Sequence, residues 1–310
     1  MKPQNERFDT QVVAYGAAGI ARAAELIVDG RTVAVPTETV YGLAADATNS
    51  VAVARIYDAK GRPSFNPLIV HVRDLAAAER LAVFSDAARA AAERWWPGPL
   101  TIVVPLRQNA WVAPRVTAGL STIALRCPAS PAMRDLLAAS GRPLAAPSAN
   151  ASGGISPTSA EHVLRSLGGR IPLIIDGGPT ALGLESTIVA FDGDRPRLLR
   201  PGPITIEAAV ASDGGQIEAP GQLASHYAPS KPVRLEAGLG APDEWLIGFG
   251  SVRGDDTLSA SGDLDEAAAN LFAALHRADA SDKPRIAVAP VPDEGIGAAI
   301  NDRLSRAAAR

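Results

Sequence analysis

The sequence predicts an α/β protein whose main domain has a twisted, open sheet of mixed, largely antiparallel strands flanked by helices. Short apolar runs of strand length are interspersed with segments of helical spacing, without the strict alternation of a doubly wound parallel sheet. The periodicity weakens after Ile206 and returns beyond a stretch rich in Gly, Ser and Pro. A second, small α/β domain of Rossmann-like type is therefore expected after the first.

Individual elements of the main domain follow from these patterns. Helical spacing predicts helices in AAGIARAAELIVDG, SVAVARIYDAKG, DLAAAERLA, SDAARAAAERWW, PAMRDLLAASG and SPTSAEHVLRSLGG. Apolar runs predict strands in TVAVPT, PLIVHV, PLTIVVPL, STIALRCP, PLAAPSAN, IPLIIDGG, STIVAFDG and RPRLLRPG. Asn49 or Ser50 caps the second helix and Gly61 ends it, whereas Thr158 and Glu161 have the spacing of a capping box.

The chain divides into three parts on composition. Residues 10–208 form the predicted main domain, and residues 209–230 form a linker with little periodicity. Residues 231–310 form the small domain, with strands in PVRLEA, EWLIGFG and RIAVAPV and helices in DLDEAAANLFAALHRAD and GIGAAINDRLSRAA.

Composition excludes several classes of function. The net charge of −3 and the pI of about 5.9 give no general basic field for nucleic acid, so a polyanion must meet a local patch. One cysteine, Cys127, permits neither a disulfide framework nor a cysteine-rich zinc site, and the four histidines lack metal-ligand spacing. No apolar run has the length of a membrane span, and the first residues do not resemble a signal peptide. We expect a cytoplasmic protein with no membrane partner.

Cations stand beside several predicted strands. In KGRPSFNPLIVH, Lys60 and Arg62 precede a strand that ends on His71, and two cations so close repel unless an anion lies between them. Arg126 and Arg200 end two other strands, where ligands of open α/β sheets commonly bind. One such arginine is ordinarily a solvated cap, and His71 can equally be a core histidine. Together, these cations and the hydroxyl-rich turns predict a site for one polyanion.

The motifs also carry a family resemblance. In chain order they are PTETVYGLAADA, KGRPSFNPLIVH, WPGPLTIVV, STIALRCP, APSANASGGISPT, GLESTIV and LLRPG. Over residues 14–206 the sequence resembles the YrdC-type threonylcarbamoyl-AMP synthase family, and HYAP with the small domain resembles its two-domain form. That form often reads S-P-G-M-(K/R) before the His-Tyr pair. Here APGQLASHYAP lacks the basic residue.

The resemblance implies a reaction and a set of roles. L-threonine, bicarbonate or CO2, and ATP with bound Mg²⁺ would give threonylcarbamoyl-AMP and pyrophosphate, and the product would pass to the tRNA threonylcarbamoyl-transferase machinery. No protein side chain is expected to bind the metal. The residues implied at the reaction centre are Lys60, Arg62, Ser148 and Asn150. Those implied to bind threonine are Thr39, His71, Arg126, Ser148 and Ser186. Those implied to bind ATP are Arg62, Asn66, Thr122, Ala146, Ser156, Arg200 and Tyr227, with Lys60 and Asn150 also near the nucleotide and His226 beside Tyr227 in a linker lid.

Two rival functions stay open from the sequence. A protein of this fold could bind double-stranded RNA through its backbone without being a synthase, although the charge does not favour this. A hydrogenase-maturation carbamoyltransferase contains a related domain but also needs zinc-finger cysteines, which this chain lacks. For the small domain, we expect a role in positioning the linker without chemistry of its own.

Overall fold

The computed structural model describes residues 7–210, 217–221 and 226–309. Residues 211–216 and 222–225 of the predicted linker lie outside the described residues. The strands of the larger part are β1 (Gln11–Ala14), β2 (Val33–Pro36), β3 (Tyr41–Asp46), β4 (Ile69–His71), β5 (Leu100–Pro105), β6 (Thr122–Arg126), β7 (Leu144–Ala145), β8 (Leu173–Asp176), β9 (Thr187–Asp192), β10 (Arg195–Arg200) and β11 (Ala209–Val210). Its helices are α1 (Ala17–Val28), α2 (Ser50–Lys60), α3 (Leu75–Leu81), α4 (Asp86–Trp95), α5 (Pro114–Thr117), α6 (Pro131–Ser140) and α7 (Ala160–Leu167).

These strands form one mixed sheet within the described ranges. Their order is β1-β8-β2-β3-β7-β4-β6-β5-β9-β10-β11. Parallel and antiparallel neighbours both occur: β4 pairs with β6 in parallel, and β7 is antiparallel to β3 and to β4. Buried side chains of α1 and α6 cover part of the sheet, where they pack against Val33, Val35 and Leu173. The predicted mixed α/β sheet flanked by helices is confirmed.

Helix boundaries follow local capping chemistry. The side chain of Asn49 accepts hydrogen bonds from the backbone N–H groups of Val51 and Ala52, at 2.9 and 3.1 Å, and starts α2. Gly61 ends this helix with φ +60°. The predicted capping box of α7 is wrong, because Ser159 is the N-cap and accepts from the N–H of His162. Thr158 lies one residue too early.

In the larger part the sequence analysis missed β1, β3 and the two-residue strand β11, which falls in the predicted linker. Strand β1 is a short edge strand whose residues are mostly exposed, so its sequence QVVA lacks the pattern of a core strand. Strand β3, with the sequence YGLAAD, is fully buried but is built from small residues of low strand propensity. It pairs in antiparallel fashion with β2, and the turn between them holds Thr37 and Thr39. Residues of this hairpin form one wall of the cavity described below.

The smaller part has its own sheet. Its strands are β12 (Val233–Arg234), β13 (Glu244–Gly248), β14 (Asp256–Thr257) and β15 (Arg285–Val288), all parallel in the order β12-β15-β13-β14. Helices α8 (Leu264–Ala280) and α9 (Gly297–Ala308) accompany it. A parallel sheet with the crossover helix α8 between β14 and β15 confirms the predicted Rossmann-like class of this part. The exact domain boundaries stay predictions.

Candidate active site

Arg126 lies at the centre of one end of the site. It ends β6 opposite His71 of the parallel strand β4, so both side chains emerge at the same edge of the sheet. Its Nη2 donates to Glu38 Oε1 at 2.6 Å, its Nη1 to Thr39 Oγ1 at 3.0 Å and its Nε to the Gly98 carbonyl at 3.3 Å. A guanidinium has five N–H groups, so three bonds leave two N–H groups for a carboxylate.

Glu38 holds that guanidinium in place. Burial has the largest effect and raises the pKa of the carboxyl, but the Arg126 charge and the hydrogen bonds to the carboxylate together outweigh it and leave the Glu38 pKa below its usual value. The second carboxylate oxygen accepts the N–H of Ser130 at 3.2 Å. The neighbouring Thr37 hydroxyl donates to the carbonyl of Val40 at 2.7 Å and lies 2.7 Å from Thr39 Oγ1. The carboxylate, the threonine hydroxyls and the Arg126 guanidinium are therefore held in fixed positions at this end of the site.

His71 is buried beside Arg126, and neither ring nitrogen has a hydrogen-bond partner in the described part of the chain. Burial, and next the Arg126 charge, lower its pKa to about 3, so the imidazole is neutral at pH 7. Buried polar groups in proteins are ordinarily hydrogen-bonded. An unpartnered imidazole lining a cavity is suited to a polar ligand.

Lys60 supports the turn that follows β7. Its buried ammonium donates to the carbonyl oxygens of Ser148 and Asn150, both at 2.5 Å. Burial, and next the charge of Arg62, hold the Lys60 pKa well below its usual value. The Asn150 amide donates to the Gly154 carbonyl at 2.7 Å and closes the turn. Lys60 and Asn150 thus orient the backbone that carries Ser148.

Arg62 and Arg200 bring two further cations to the site. The Nη2 of Arg62 donates to Asn66 Oδ1 at 2.6 Å and to the Pro67 carbonyl at 2.8 Å. Arg200 donates twice to the Ser186 carbonyl, through Nη2 at 2.9 Å and Nε at 3.1 Å. Burial lowers the pKa of both arginines, that of Arg62 to about 10, so both stay charged at pH 7. Neither guanidinium has an ion-pair partner among the described carboxylates. Each can therefore bind an anionic ligand.

Described linker residues cover this end. The Arg200 Nη1 donates to the Pro220 carbonyl at 3.4 Å, and a Cβ placed on Gly221 would lie 2.7 Å from the Tyr227 hydroxyl oxygen. Gly221 has φ +91°, a conformation that suits glycine. Tyr227 is fully buried with φ +62°, and the His226 ring packs edge-on against it at 4.1 Å. The linker therefore closes over Arg200.

The sequence analysis did not single out Glu185 and Arg303. Arg303, on α9, is fully buried, and its Nε donates to Glu185 Oε2 at 2.8 Å. The hydroxyl of Ser156 donates to the other Glu185 oxygen at 2.5 Å. Glu185 was visible in the GLESTIV motif, but Arg303 stands in an ordinary amphipathic helix with no motif around it. Nothing in the sequence distinguished it from a surface arginine.

One cavity of about 50 Å³ joins these groups. Ten of the residues implied by the family resemblance line it: Thr39, Arg62, His71, Arg126, Ala146, Ser148, Ser186, Arg200, His226 and Tyr227. Five others lie outside its lining: Lys60, Asn66 and Asn150 support the turns described above, Ser156 binds Glu185, and Thr122 stands at the start of β6. Thr122 is four residues before Arg126, at the far end of the strand. The assigned roles of all fifteen residues stay predictions.

The donor set does not resemble a metal centre. Within residues 7–210, 217–221 and 226–309, no cluster of three or more His, Cys, Asp or Glu could hold a metal ion. Glu185 is the one acidic residue among the described cavity lining, and Arg303 and Ser156 occupy it. Over the same ranges, no helix is both long and apolar enough to cross a bilayer.

Comparison with known families agrees with this architecture. The Sua5_yciO_yrdC family model, described as telomere recombination, matches residues 25–202. The chain belongs to this family. A second model, described as the threonylcarbamoyl-AMP synthase C-terminal domain, matches residues 201–309. The family resemblance seen in the motifs is confirmed.

Relatives match both parts of the chain. The threonylcarbamoyl-AMP synthase of Bacillus subtilis strain 168 is 42% identical, over 93% of this chain and 92% of the relative. That of Pyrococcus abyssi strain GE5 / Orsay is 40% identical over 92% of each. The crystal structure of P. abyssi Sua5 complexed with L-threonine superposes with a TM-score of 0.88 at 37% identity, covering 97% of both chains. E. coli YciO shares the fold alone, at 21% identity and a TM-score of 0.55 over 65% of this chain and 98% of that one.

Proposed function

We propose that this chain synthesises threonylcarbamoyl-AMP from L-threonine, bicarbonate and ATP, with release of pyrophosphate. The observation that carries the proposal is the covered cavity lined by three buried guanidiniums, those of Arg62, Arg126 and Arg200. Its two ends differ: one presents Arg126 with hydroxyls and a neutral imidazole, and the other presents Arg62 and Arg200 beneath the linker. Such a site suits two anions held side by side.

The chemistry asks for positioning and charge stabilisation. The threonine amine and bicarbonate condense to a carbamate with loss of water. A carbamate oxygen then bonds to the α-phosphorus of ATP while the bond from that phosphorus to the β-phosphate oxygen breaks. The electron pair leaves with pyrophosphate. Because the carbamate is already an anionic nucleophile, the step requires no strong base, and the catalytic contribution is alignment and neutralisation of the leaving group.

The Arg126 end is proposed to bind threonine. The two remaining N–H groups of Arg126 suit the amino acid carboxylate, since Glu38 and Thr39 hold the guanidinium plane fixed. His71 is proposed to bond the threonine hydroxyl or amine, and Ser148 and Ser186 its other polar groups. The apolar lining at Val40, together with Ile69 and Ala146, suits the threonine methyl group.

The other end is proposed to bind the nucleotide. Arg62 and Arg200 would meet the phosphates, with Asn66 orienting Arg62 and Lys60 orienting the Ser148 turn. Thr122, Ala146, Asn150 and Ser156 are the further proposed contacts around the nucleotide. Mg²⁺ would arrive bound to the phosphates and neutralise their charge. The cavity of about 50 Å³ holds a few water molecules but not ATP, so we propose that the linker with Tyr227 opens to admit it.

The product is proposed to pass to the tRNA-modifying transferase machinery in the cytoplasm. A carbamoyl adenylate hydrolyses readily, which makes a closed cavity useful. Binding of RNA by the chain itself has no separate support from the cavity, whose cations are buried.

Pyrophosphate release tests the proposal. With ATP and bicarbonate, release should depend on L-threonine and be at least about tenfold slower with L-serine, which lacks the methyl group. Arg126→Ala and Lys60→Ala should lower it sharply. Arg134→Ala, an exposed change on the following helix, serves as the matched control. Release that does not depend on an amino acid, or none at all with ATP still bound, would contradict the proposal.

A further inference from the structure

The small domain packs on the loops that form the cavity. Val40, Ile155 and Leu184 belong to three separate loops of the larger domain, yet all three join the buried apolar cluster of α8 and its sheet. Tyr227 of the linker joins the same cluster, with its ring 5.6 Å from that of Phe272. The core of the small domain is therefore continuous with the walls of the cavity.

A backbone contact fixes the spacing between the two domains. Gly183 has φ +67°, and a Cβ there would lie 2.4 Å from the Ala269 carbonyl oxygen of α8. The next residues along the chain are Leu184, Glu185 and Ser186, so this contact holds the loop that carries the Ser186 end of the cavity.

Arg303 is the charged centre of this interface. Its side chain is fully buried, bonds Glu185 Oε2 at 2.8 Å and lies over the Tyr227 ring, 5.3 Å from the ring centroid. Its Nη1 donates to Asp302 at 2.7 Å, whereas Nη2 has no hydrogen-bond partner among the residues described. One guanidinium thus contacts a cavity loop through Glu185 and the linker through Tyr227.

We propose that Arg303 is a positioning residue for the nucleotide end of the site. It acts through Glu185, which neighbours Ser186, and through Tyr227, which lies beside Arg200 and Gly221. By holding both, it stabilises the linker conformation that covers Arg200. The small domain thereby contributes to ATP affinity without touching ATP. This inference rests on the proposed function for the identity of the nucleotide.

A linker held less firmly lowers apparent affinity, because only the fraction of molecules able to close binds tightly. The threonine end should share this effect only weakly: Ser186 neighbours Glu185, but the carboxylate fork of Arg126 and its partners Glu38, Thr39 and Gly98 all belong to the larger domain. The proposal therefore predicts a split between the two substrates. A purely structural role for Arg303 would instead lower the affinities for both substrates together.

Direct binding measurements test the split. Titration calorimetry with α,β-methylene-ATP and, separately, with L-threonine needs no turnover. Arg303→Met should lower the affinity for the nucleotide at least about tenfold and the affinity for threonine less than about twofold. Arg303→Lys keeps the charge but loses the planar fork and should weaken the nucleotide by about threefold to fivefold. If Arg303→Met does not fold, Arg303→Lys carries the test by itself.

A double variant separates electrostatics from packing. Removing Arg303 alone leaves a buried carboxylate unpaired, whereas Glu185→Gln with Arg303→Met removes both charges and keeps an acceptor for Ser156. The double variant should regain only part of the nucleotide affinity and stay at least about threefold weaker than the unmodified chain, because it still lacks the contacts of Arg303 with Glu185 and Tyr227. Arg285→Gln, an exposed ion-pair residue of the same domain, is the control and should change neither affinity.

Unchanged or tighter nucleotide binding in Arg303→Met would overturn the proposal, as would equal weakening of both ligands. Full rescue in the double variant would overturn the positioning role, because the unpaired charge of Glu185 would then account for the whole loss. A chain that binds nucleotide with this split but releases no pyrophosphate would contradict the proposed function and leave the role of Arg303 intact. A chain that binds no nucleotide would contradict both.

Discussion

Two buried Glu–Arg pairs flank the same cavity, and they differ in what they connect. Glu38 and Arg126 both belong to the larger domain, whereas Glu185 and Arg303 join the two domains. Arg126 lines the cavity, whereas Arg303 stands behind Glu185, which lines it. Because a buried ion pair adds little net stability, each pair is better explained by the geometry it holds. The first pair orients a cation toward a ligand, and the second holds a loop and the linker.

Loss of Arg126 should have the largest effect and would sharpen this distinction. Arg126→Ala removes the carboxylate fork and leaves Glu38 buried without its partner. We expect kcat/KM for threonine to fall about 10³-fold, equivalent to about 4 kcal/mol. Steady-state pyrophosphate release measures it, with Arg134→Ala as control. A loss expressed equally in ATP binding would contradict an assignment to the threonine end.

A glycine substitution tests the second region without touching a charge. Gly183→Ala forces a Cβ against α8, and we expect a loss of about 2–3 kcal/mol in the free energy of unfolding. Gly169→Ala is the matched control, because Gly169 has φ +79° but open space at its Cβ. Denaturant unfolding compares the two. Equal losses would mean that backbone strain, and not the contact between domains, decides the result.

Acid should weaken both regions, because His71 lies beside Arg126 and the partly buried His276 contacts the carbonyl of Ser156, whose hydroxyl binds Glu185. Burial, as the largest cause, lowers the pKa of His71 and of His276 to about 3, below the ordinary histidine value of 6.5. A lowered folded-state pKa means that the unfolded chain binds protons first, so stability is complete above pH 6.5 and falls as pH drops toward 3. At pH 5, His276 should lower the free energy of unfolding by about 2 kcal/mol. The melting temperature of His276→Gln should accordingly fall less between pH 7 and pH 5 than that of the unmodified chain. Parallel curves of melting temperature against pH would contradict this account.

An exposed ion pair gives the smallest expected effect and the baseline for the comparison. Arg165 and Glu161 form an i,i+4 pair at 2.7 Å on the surface of α7, with half or more of each side chain exposed. Glu161→Gln should change the free energy of unfolding by no more than about 0.5 kcal/mol. A larger loss would show that distance from the cavity does not separate structural pairs from surface pairs in this chain.

Sequence patterns anticipated most of the fold and one side of the site. Strands with apolar runs, such as those ending at His71 and Arg126, were predicted, but the small-residue strand β3 and the exposed edge strand β1 were not. Periodicity reports burial through hydrophobic side chains, so strands built from Ala and Gly or lying at an edge produce little signal.

The sequence by itself determined the mixed α/β class, the family, and the residue types able to hold two anions. Tertiary structure decided which of these residues share a cavity: Arg62, Arg126 and Arg200 do, whereas Lys60 instead bonds the carbonyls of Ser148 and Asn150. It also decided the contact between Arg303 and Glu185, 118 residues apart. Local patterns encode strands and helices through neighbouring residues. A buried pair between two domains depends on how their surfaces pack, and no local pattern carries that information.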